Sequence, residues 1–290
     1  MTSEQSIETE AEDETIEQVG ELLLLLKQMG LNMSKAIEEA GLADIESNRD
    51  CIILTTLMQE GPQRPRDILS GAGTTSGGLT KLLDRLETLH LVTREYGHVP
   101  GDHRGVAVSL TMAGRAAITV VGLVVLQSLR DDEPKISRAL ELLEQVTPEG
   151  SGHIDSENSP PAVNEVIRGL AELGDALLFA LTTDLPLDSQ NPADTTLTLW
   201  RIGRSGMTRP NHLVEATGLS SGGVSKLLDR LEAAGLIRRV TGRLTDGRAI
   251  TLDLTERGRE ELTTRVVQMS EHLDGLRRAL LRIAALVGIR

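Results

Sequence analysis

Thr74-Thr75-Ser76-Gly77-Gly78-Leu79-Thr80-Lys81-Leu82-Leu83-Asp84-Arg85-Leu86-Glu87 decides the fold, because the chain carries the same pattern twice. The second copy is Leu219-Ser220-Ser221-Gly222-Gly223-Val224-Ser225-Lys226-Leu227-Leu228-Asp229-Arg230-Leu231-Glu232. In each, a hydroxyl residue (Thr75 or Ser220) stands where it can cap a helix, a polar and glycine-rich first turn follows, and leucines then recur at helical spacing. Each copy therefore predicts a short amphipathic helix whose N-terminus bears hydroxyls, a lysine and little bulk.

Upstream of the first copy, residues 51–59 and 66–72 read as two further helices, separated by Gly61-Pro62 and ended by Gly73. Downstream, residues 92–96 and 106–110 alternate as strands do, around a turn-rich loop at 97–105. Three helices followed by a hairpin make a helix-turn-helix with a wing. The same order restarts later: a helix at 163–185, another at 195–203, the repeated helix, then strands at 236–240 and 249–254. Gly206-Met207-Thr208-Arg209-Pro210 matches Gly61-Pro62-Gln63-Arg64-Pro65.

The boundaries follow. Residues 1–14 are rich in Ser, Thr, Glu and Asp and read as a disordered acidic tail. Residues 15–146 form the first repeat, 147–161 a Pro-, Gly- and Ser-bearing linker, and 162–290 the second repeat. From Ile16, Val19, Leu22, Leu23, Leu26 and Met29 define a buried helix, with a weak point at Gly30-Leu31-Asn32 before it resumes at 33–43.

Among 290 residues the only aromatics are Tyr96, Phe179 and Trp200, so the core must be aliphatic, which favours helices. The single Cys51 excludes an internal disulfide and a cysteine zinc cluster, and its place in an apolar helix reads as a buried structural thiol. No basic leader with an apolar core and no uninterrupted apolar run of bilayer length is seen, so a cytoplasmic protein outside the membrane is expected. The net charge of −13 argues against nucleic acid only until its distribution is considered. Residues 51–111 hold six basic and six acidic residues, and 196–255 hold nine and five, whereas the remainder holds 15 and 32. The acid lies outside the repeats.

These residues resemble the MarR family of bacterial transcription regulators. The resemblance rests on the order helix, winged helix-turn-helix, helix, on Lys-Leu-Leu-Asp-Arg-Leu-Glu followed by Gly-Leu-Ile-Arg-Arg at 235–239, and on two wing motifs. These are Asp102-His103-Arg104 and Asp246-Gly247-Arg248, each followed by a strand and Leu-Thr-x-x-Gly (Leu110 to Gly114, Leu254 to Gly258). Family members work as homodimers with interlocked terminal helices. The resemblance therefore implies a mainly α protein with small β-hairpin wings, two tandem winged helix-turn-helix domains with interlocking flanking helices, fused as a single-chain pseudo-dimer. The first half departs from the pattern at His90, where the second has Gly235, so a different approach to the first wing is expected.

The resemblance also implies double-stranded DNA as the partner, with the repeated helix in the major groove and the wing on the minor groove or backbone. The contact residues would be Ser76, Gly77, Thr80 and Lys81 in one copy and Ser221, Gly222, Ser225 and Lys226 in the other, at the positive end of a helix dipole. Arg104 and Arg248 would reach the groove from the wings, or hold the hairpin through the neighbouring Asp. Arg64 and Arg209 stand where DNA backbone contact competes with a merely solvated face. Asp84-Arg85 and Asp229-Arg230 read as internal braces to the wing. Arg238, Arg239 and Arg243 replace Thr93, Arg94 and His98, so the second winged domain is expected to bind DNA more strongly.

Met29, Met33, Met58, Trp200 and Met207 would line an effector pocket of the kind the family uses for small aromatic ligands, although Met at helical spacing also serves as core filling. No cofactor and no metal is expected: His98 and His103 lack a companion ligand, and no nucleophile triad, phosphate loop or dinucleotide fingerprint is present to suggest an enzyme. A pseudo-palindromic operator, a repressor role, a small-molecule effector and room for further homo-oligomerisation complete the expectation. The competing reading is an acidic tandem winged-helix module that grips partner proteins, similar to subunits of chromosome condensation complexes.

Overall fold

Helix α1 (Ser3–Glu39) opens the computed structural model, which describes residues 3–42, 45, 48–71, 75–96, 105–147, 163–182, 192–205, 208–241 and 250–289. The helix begins inside the segment expected to be a disordered tail. Glu, Gln and Ala there are good helix formers. Nor does the chain break at Gly30. A single helical glycine costs only about 1 kcal/mol, and Val19, Leu22, Leu23, Leu26 and Met29 are all buried along one stripe just before it.

After α1 come α2 (Asn48–Glu60), α3 (Pro65–Gly71), α4 (Ser76–Thr88), β1 (Val92–Tyr96), β2 (Val106–Leu110), α5 (Met112–Asp131) and α6 (Glu133–Val146). The order then recurs in α7 (Val163–Thr182), α8 (Pro192–Ser205), α9 (Pro210–Thr217), α10 (Ser221–Ala233), β3 (Ile237–Thr241), β4 (Ile250–Leu254), α11 (Glu256–Ser270) and α12 (Leu273–Val287). Both hairpins are antiparallel: Thr93 faces Ser109 in one, and Arg238 faces Asp253 in the other. Each gains a one-residue third strand from the segment ahead of the short helix, Gln63 against Val108 and Thr208 against Leu252. The predicted Gly-x-x-Arg-Pro match marks that segment, though its pairing could not be read from periodicity.

The Leu-Thr-x-x-Gly motif has a packing cause. Thr111 Oγ1 accepts from the Gly114 amide at 2.9 Å and donates to the His90 carbonyl at 2.6 Å. Thr255 does the same with Gly258 (3.0 Å) and Gly235 (2.6 Å). A Cβ on Gly114 would stand 2.0 Å from the Leu91 carbonyl oxygen, and one on Gly258 1.9 Å from that of Leu236. Only glycine lets the helix start this close to the strand. At the turn before each strand, His90 adopts φ 57° and Gly235 φ 72°. The same closing bond follows in both, Leu91 N–H to the Leu86 carbonyl and Leu236 N–H to that of Leu231, each 2.9 Å. The expected difference in approach to the first wing is therefore corrected: the histidine takes the left-handed conformation and the turn is conserved in shape.

The compact units cross the two sequence halves. Unit 1 combines residues 1–31, 134–154 and 173–281; unit 2 combines 32–133, 155–172 and 282–290. Within unit 1, α8 to α11 are thus grouped with α1, which precedes them by more than a hundred residues. The Trp200 side chain of α8 is 1% exposed and lies where a Cβ on Gly20 of α1 would be 2.2 Å from its indole nitrogen. That indole donates to Glu17 Oε2 at 3.1 Å, Arg204 pairs with Glu17 Oε1 at 2.9 Å, and the Arg204 guanidinium stacks 5.3 Å from the ring centroid. Lys27 reaches the buried Asp194 at 2.9 Å. Arg138 of α6 pairs with Glu21 at 2.9 Å, and its hydrogen bond holds that carboxyl below its ordinary pKa.

Within unit 2, Asn32 donates to Asp132 at 2.9 Å, and Arg282 of α12 donates to Glu172 of α7 at 2.7 Å. Helix α5 buries Ile118, Val121, Val125 and Leu129 in this unit. It is also long and apolar enough to pass as a membrane span by length and composition, which Gly114, Arg115 and Thr119 conceal from a search for an uninterrupted run.

Candidate nucleic-acid interface

The two repeated helices present matched N-termini. Thr75 Oγ1 accepts from the Gly78 amide at 3.1 Å, and Ser220 Oγ from the Gly223 amide at 3.1 Å. Beyond the cap, Ser76, Gly77, Thr80 and Lys81 are exposed in α4, as are Ser221, Gly222, Ser225 and Lys226 in α10. Leu79, Leu83 and Leu86, and likewise Val224, Leu227, Leu228 and Leu231, turn inward. Burial of one stripe fixes the helix, and the opposite stripe is left facing water with a cation at its edge. Thr80 donates its hydroxyl to the Ser76 carbonyl at 3.0 Å, so it meets an incoming group as an acceptor.

Gly77 and Gly222 are not required by packing. A Cβ on Gly77 would find nothing within 4 Å, and one on Gly222 only the Ser220 hydroxyl at 4.0 Å. What their bareness does is open the helix end, where amide groups and the dipole attract anions.

The carboxylates of the same helices are spoken for. Arg94 of β1 pairs with Asp84 at 2.6 Å and Glu87 at 3.4 Å, and its own amide donates to Glu87 at 3.2 Å. Arg239 of β3 pairs with Asp229 at 2.7 Å and with Glu232, which raise its pKa, the Asp229 hydrogen bond contributing most. The expected brace between helix and wing is therefore present in both copies, with the acid on the helix and the base on the strand. Arg85 instead turns to Asp50 of α2, a residue with no exposed surface, a partner that sequence reading missed because the two are far apart in the chain.

Arg238, which stands opposite Asp253, pairs with it at 3.2 Å while remaining more than half exposed. Its counterpart pair is Thr93 and Ser109, so the extra cation of the second wing brings its own anion. Arg204 is likewise engaged by Glu17, outside the winged domain's own sequence. Arg209, the residue before α9, is exposed and makes no side-chain cap; Arg64 is half-buried. Arg104, Arg243 and Arg248, with His98 and His103, lie outside the described residues.

Of the residues expected to line an effector pocket, Met29 and Trp200 are core residues of unit 1, Met33 and Met58 are half-buried residues of unit 2, and Met207 lies outside the described residues. The four described ones do not fall in one unit. Cys51 has its pKa pushed up to about 11 by burial and by the neighbouring Asp50 carboxylate, which keeps it a thiol rather than the reactive thiolate.

Residues 192–249 match the MarR family. That stretch runs from the start of α8 to the residue before β4. A crystal structure described as that of transcriptional regulator PA4135 is similar at 23% identity, covering 43% of this chain and 94% of that one, with a TM-score of 0.31. No curated protein matches. The MarR-matching stretch contains Arg209, Ser221, Gly222, Ser225, Lys226, Arg238, Arg243 and Arg248; the corresponding residues of the first repeat lie outside it.

Proposed function

We propose that this chain is a DNA-binding transcription regulator, a repressor, in which residues 15–146 and 162–290 are two MarR-like repeats fused into one pseudo-dimer. The observation that carries the reading is the duplicated helix end: capped by Thr75 or Ser220, stripped of side chains at Gly77 or Gly222, and edged by Lys81 or Lys226. A groove-reading helix needs such an end, since phosphates are held by amides and a cation while the bases are approached closely. The MarR match over the second repeat supports this, and so does the crossing of α1 into the unit of the second winged domain, the single-chain counterpart of two interlocked protomers. The second winged domain takes the larger share of binding through Arg209, Arg243 and Arg248, with Arg238 contributing from its exposed side although Asp253 offsets its charge, and the first assists with Arg64 and Arg104. A small-molecule effector releases the operator.

Mobility shift on the DNA upstream of its own coding sequence, over a range of salt, tests the reading. Binding should weaken steeply with salt, and Lys81→Ala and Lys226→Ala should each lower the salt slope by roughly one. A reporter driven by that DNA should rise when the gene is deleted. Absence of binding at low salt, with a stable protein partner recovered instead, would favour the acidic protein-interaction module, for which the net charge of −13 speaks.

A further inference from the structure

Helix α5 buries one side in unit 2 and leaves the other bare. Met112 is 86% exposed, Leu123 55% and Val120 41%. With Ala113, Ala116, Gln127 and Arg130, also exposed, Val120 and Leu123 fall on steps of three, four, three, four and three residues, the spacing of a helix-pairing seam. The equivalent helix of the second repeat, α11, shows what the same position looks like when it faces water. Aligned through Gly114 and Gly258, its exposed face carries Glu256, Arg257, Glu260 and Thr264, with Glu271 at its C-cap and Val267 the one apolar residue among them. The apolar seam is thus a feature of α5, not of the fold.

We propose that this seam of α5 pairs, antiparallel, with α5 of a second copy of the chain. The spacing of the stripe is symmetric about the midpoint between Val120 and Leu123, which is also the midpoint of the helix. An antiparallel partner in that register places Val120 against Leu123 in both central layers, Ala116 against Gln127, and Ala113 against the Arg130 stem. Small residues meet long ones in the outer layers. The same register brings Asp131 beside the first turn of the partner helix at Met112 and Ala113, where a carboxylate meets the positive end of the helix dipole. The two dipoles also run head to tail. Area sets the strength: one helix about 30 Å long offers far less than the roughly 800 Å² per partner of a long-lived dimer. The pairing is therefore a weak one, reached at high concentration or between molecules on neighbouring DNA sites.

Sedimentation of the full chain from micromolar to near-millimolar concentration tests this. A concentration-dependent dimer is expected, and Leu123→Glu should raise its dissociation constant at least about tenfold, with the melting temperature retained because the side chain is solvent-facing. Asp131→Lys should weaken it less, and Val267→Glu on α11 should leave it unchanged. In a Cys51→Ser background, Leu123→Cys should form an interchain disulfide under mild oxidation and Met112→Cys should not. A monomer at every concentration, a dimer indifferent to Leu123→Glu, or cross-linking through Met112→Cys overturns the proposal. So does self-association seen only with phosphatidylcholine vesicles, which would make the seam a lipid contact.

Discussion

At the scale of single residues, His90 is the position where the chain tolerates strain. Its φ of 57° is the left-handed conformation, which costs an L residue with a Cβ about 1–2 kcal/mol. Gly235 meets the same turn without that cost, and nothing lies within 4 Å of where its Cβ would be. His90 is exposed, so His90→Gly forfeits no packing, though glycine gives back about 0.4–1 kcal/mol through the freedom of its unfolded chain. The net expectation is a protein more stable by about 0.5–1 kcal/mol, seen as a raised melting temperature; an unchanged or lower one would show that the turn does not strain the histidine. The sequence displayed the substitution and its site correctly, but a propensity alone could not say which would yield, the residue or the turn. Thr111, the N-cap of α5, donating to the His90 carbonyl decides it in favour of the turn. Cys51 was legible for the opposite reason: an isolated thiol in an apolar helix needs no partner to be understood, and burial together with Asp50 raises its pKa.

At the scale of elements, the repeated helices were legible because their cause is local. A capping hydroxyl, a leucine stripe and a following hairpin each leave a pattern within a dozen residues, and β1 and β2 fall where alternation placed them. The third strand of each wing was not legible, since a one-residue bridge at Gln63 or Thr208 has no period. What local pattern cannot explain is the pair of glycines. Gly77 and Gly222 lower helix propensity by up to about 1 kcal/mol against alanine, and the space above them is open. Gly77→Ala and Gly222→Ala should therefore stabilise the protein slightly in thermal melts and yet weaken DNA binding, each by about tenfold, equivalent to about 1.4 kcal/mol. Opposite signs in the two measurements would identify the helix end as a contact surface. An alanine that improves stability and leaves binding intact would mean that no ligand approaches the backbone there.

At the scale of the whole molecule, the sequence halves and the folded units are different divisions, and only the first could be read from the repeat. Which helix packs on which winged domain depends on contacts more than a hundred residues apart, for which no short-range pattern exists. Gly20 carries a trace of it: a glycine inside a leucine-rich stripe, bare because the Trp200 indole occupies its side-chain volume. Alanine there would force the indole or α1 to move, an overpacking that costs about 1–3 kcal/mol, and would loosen the Glu17 contacts to Trp200 and Arg204. The consequence should be confined to unit 1. Hydrogen exchange of Gly20→Ala should quicken in α8 and in the part of α1 before Leu31, and remain as in the parent protein in α2 to α5. Were α2 to α5 to lose protection equally, they would belong to the same cooperative unit as α8.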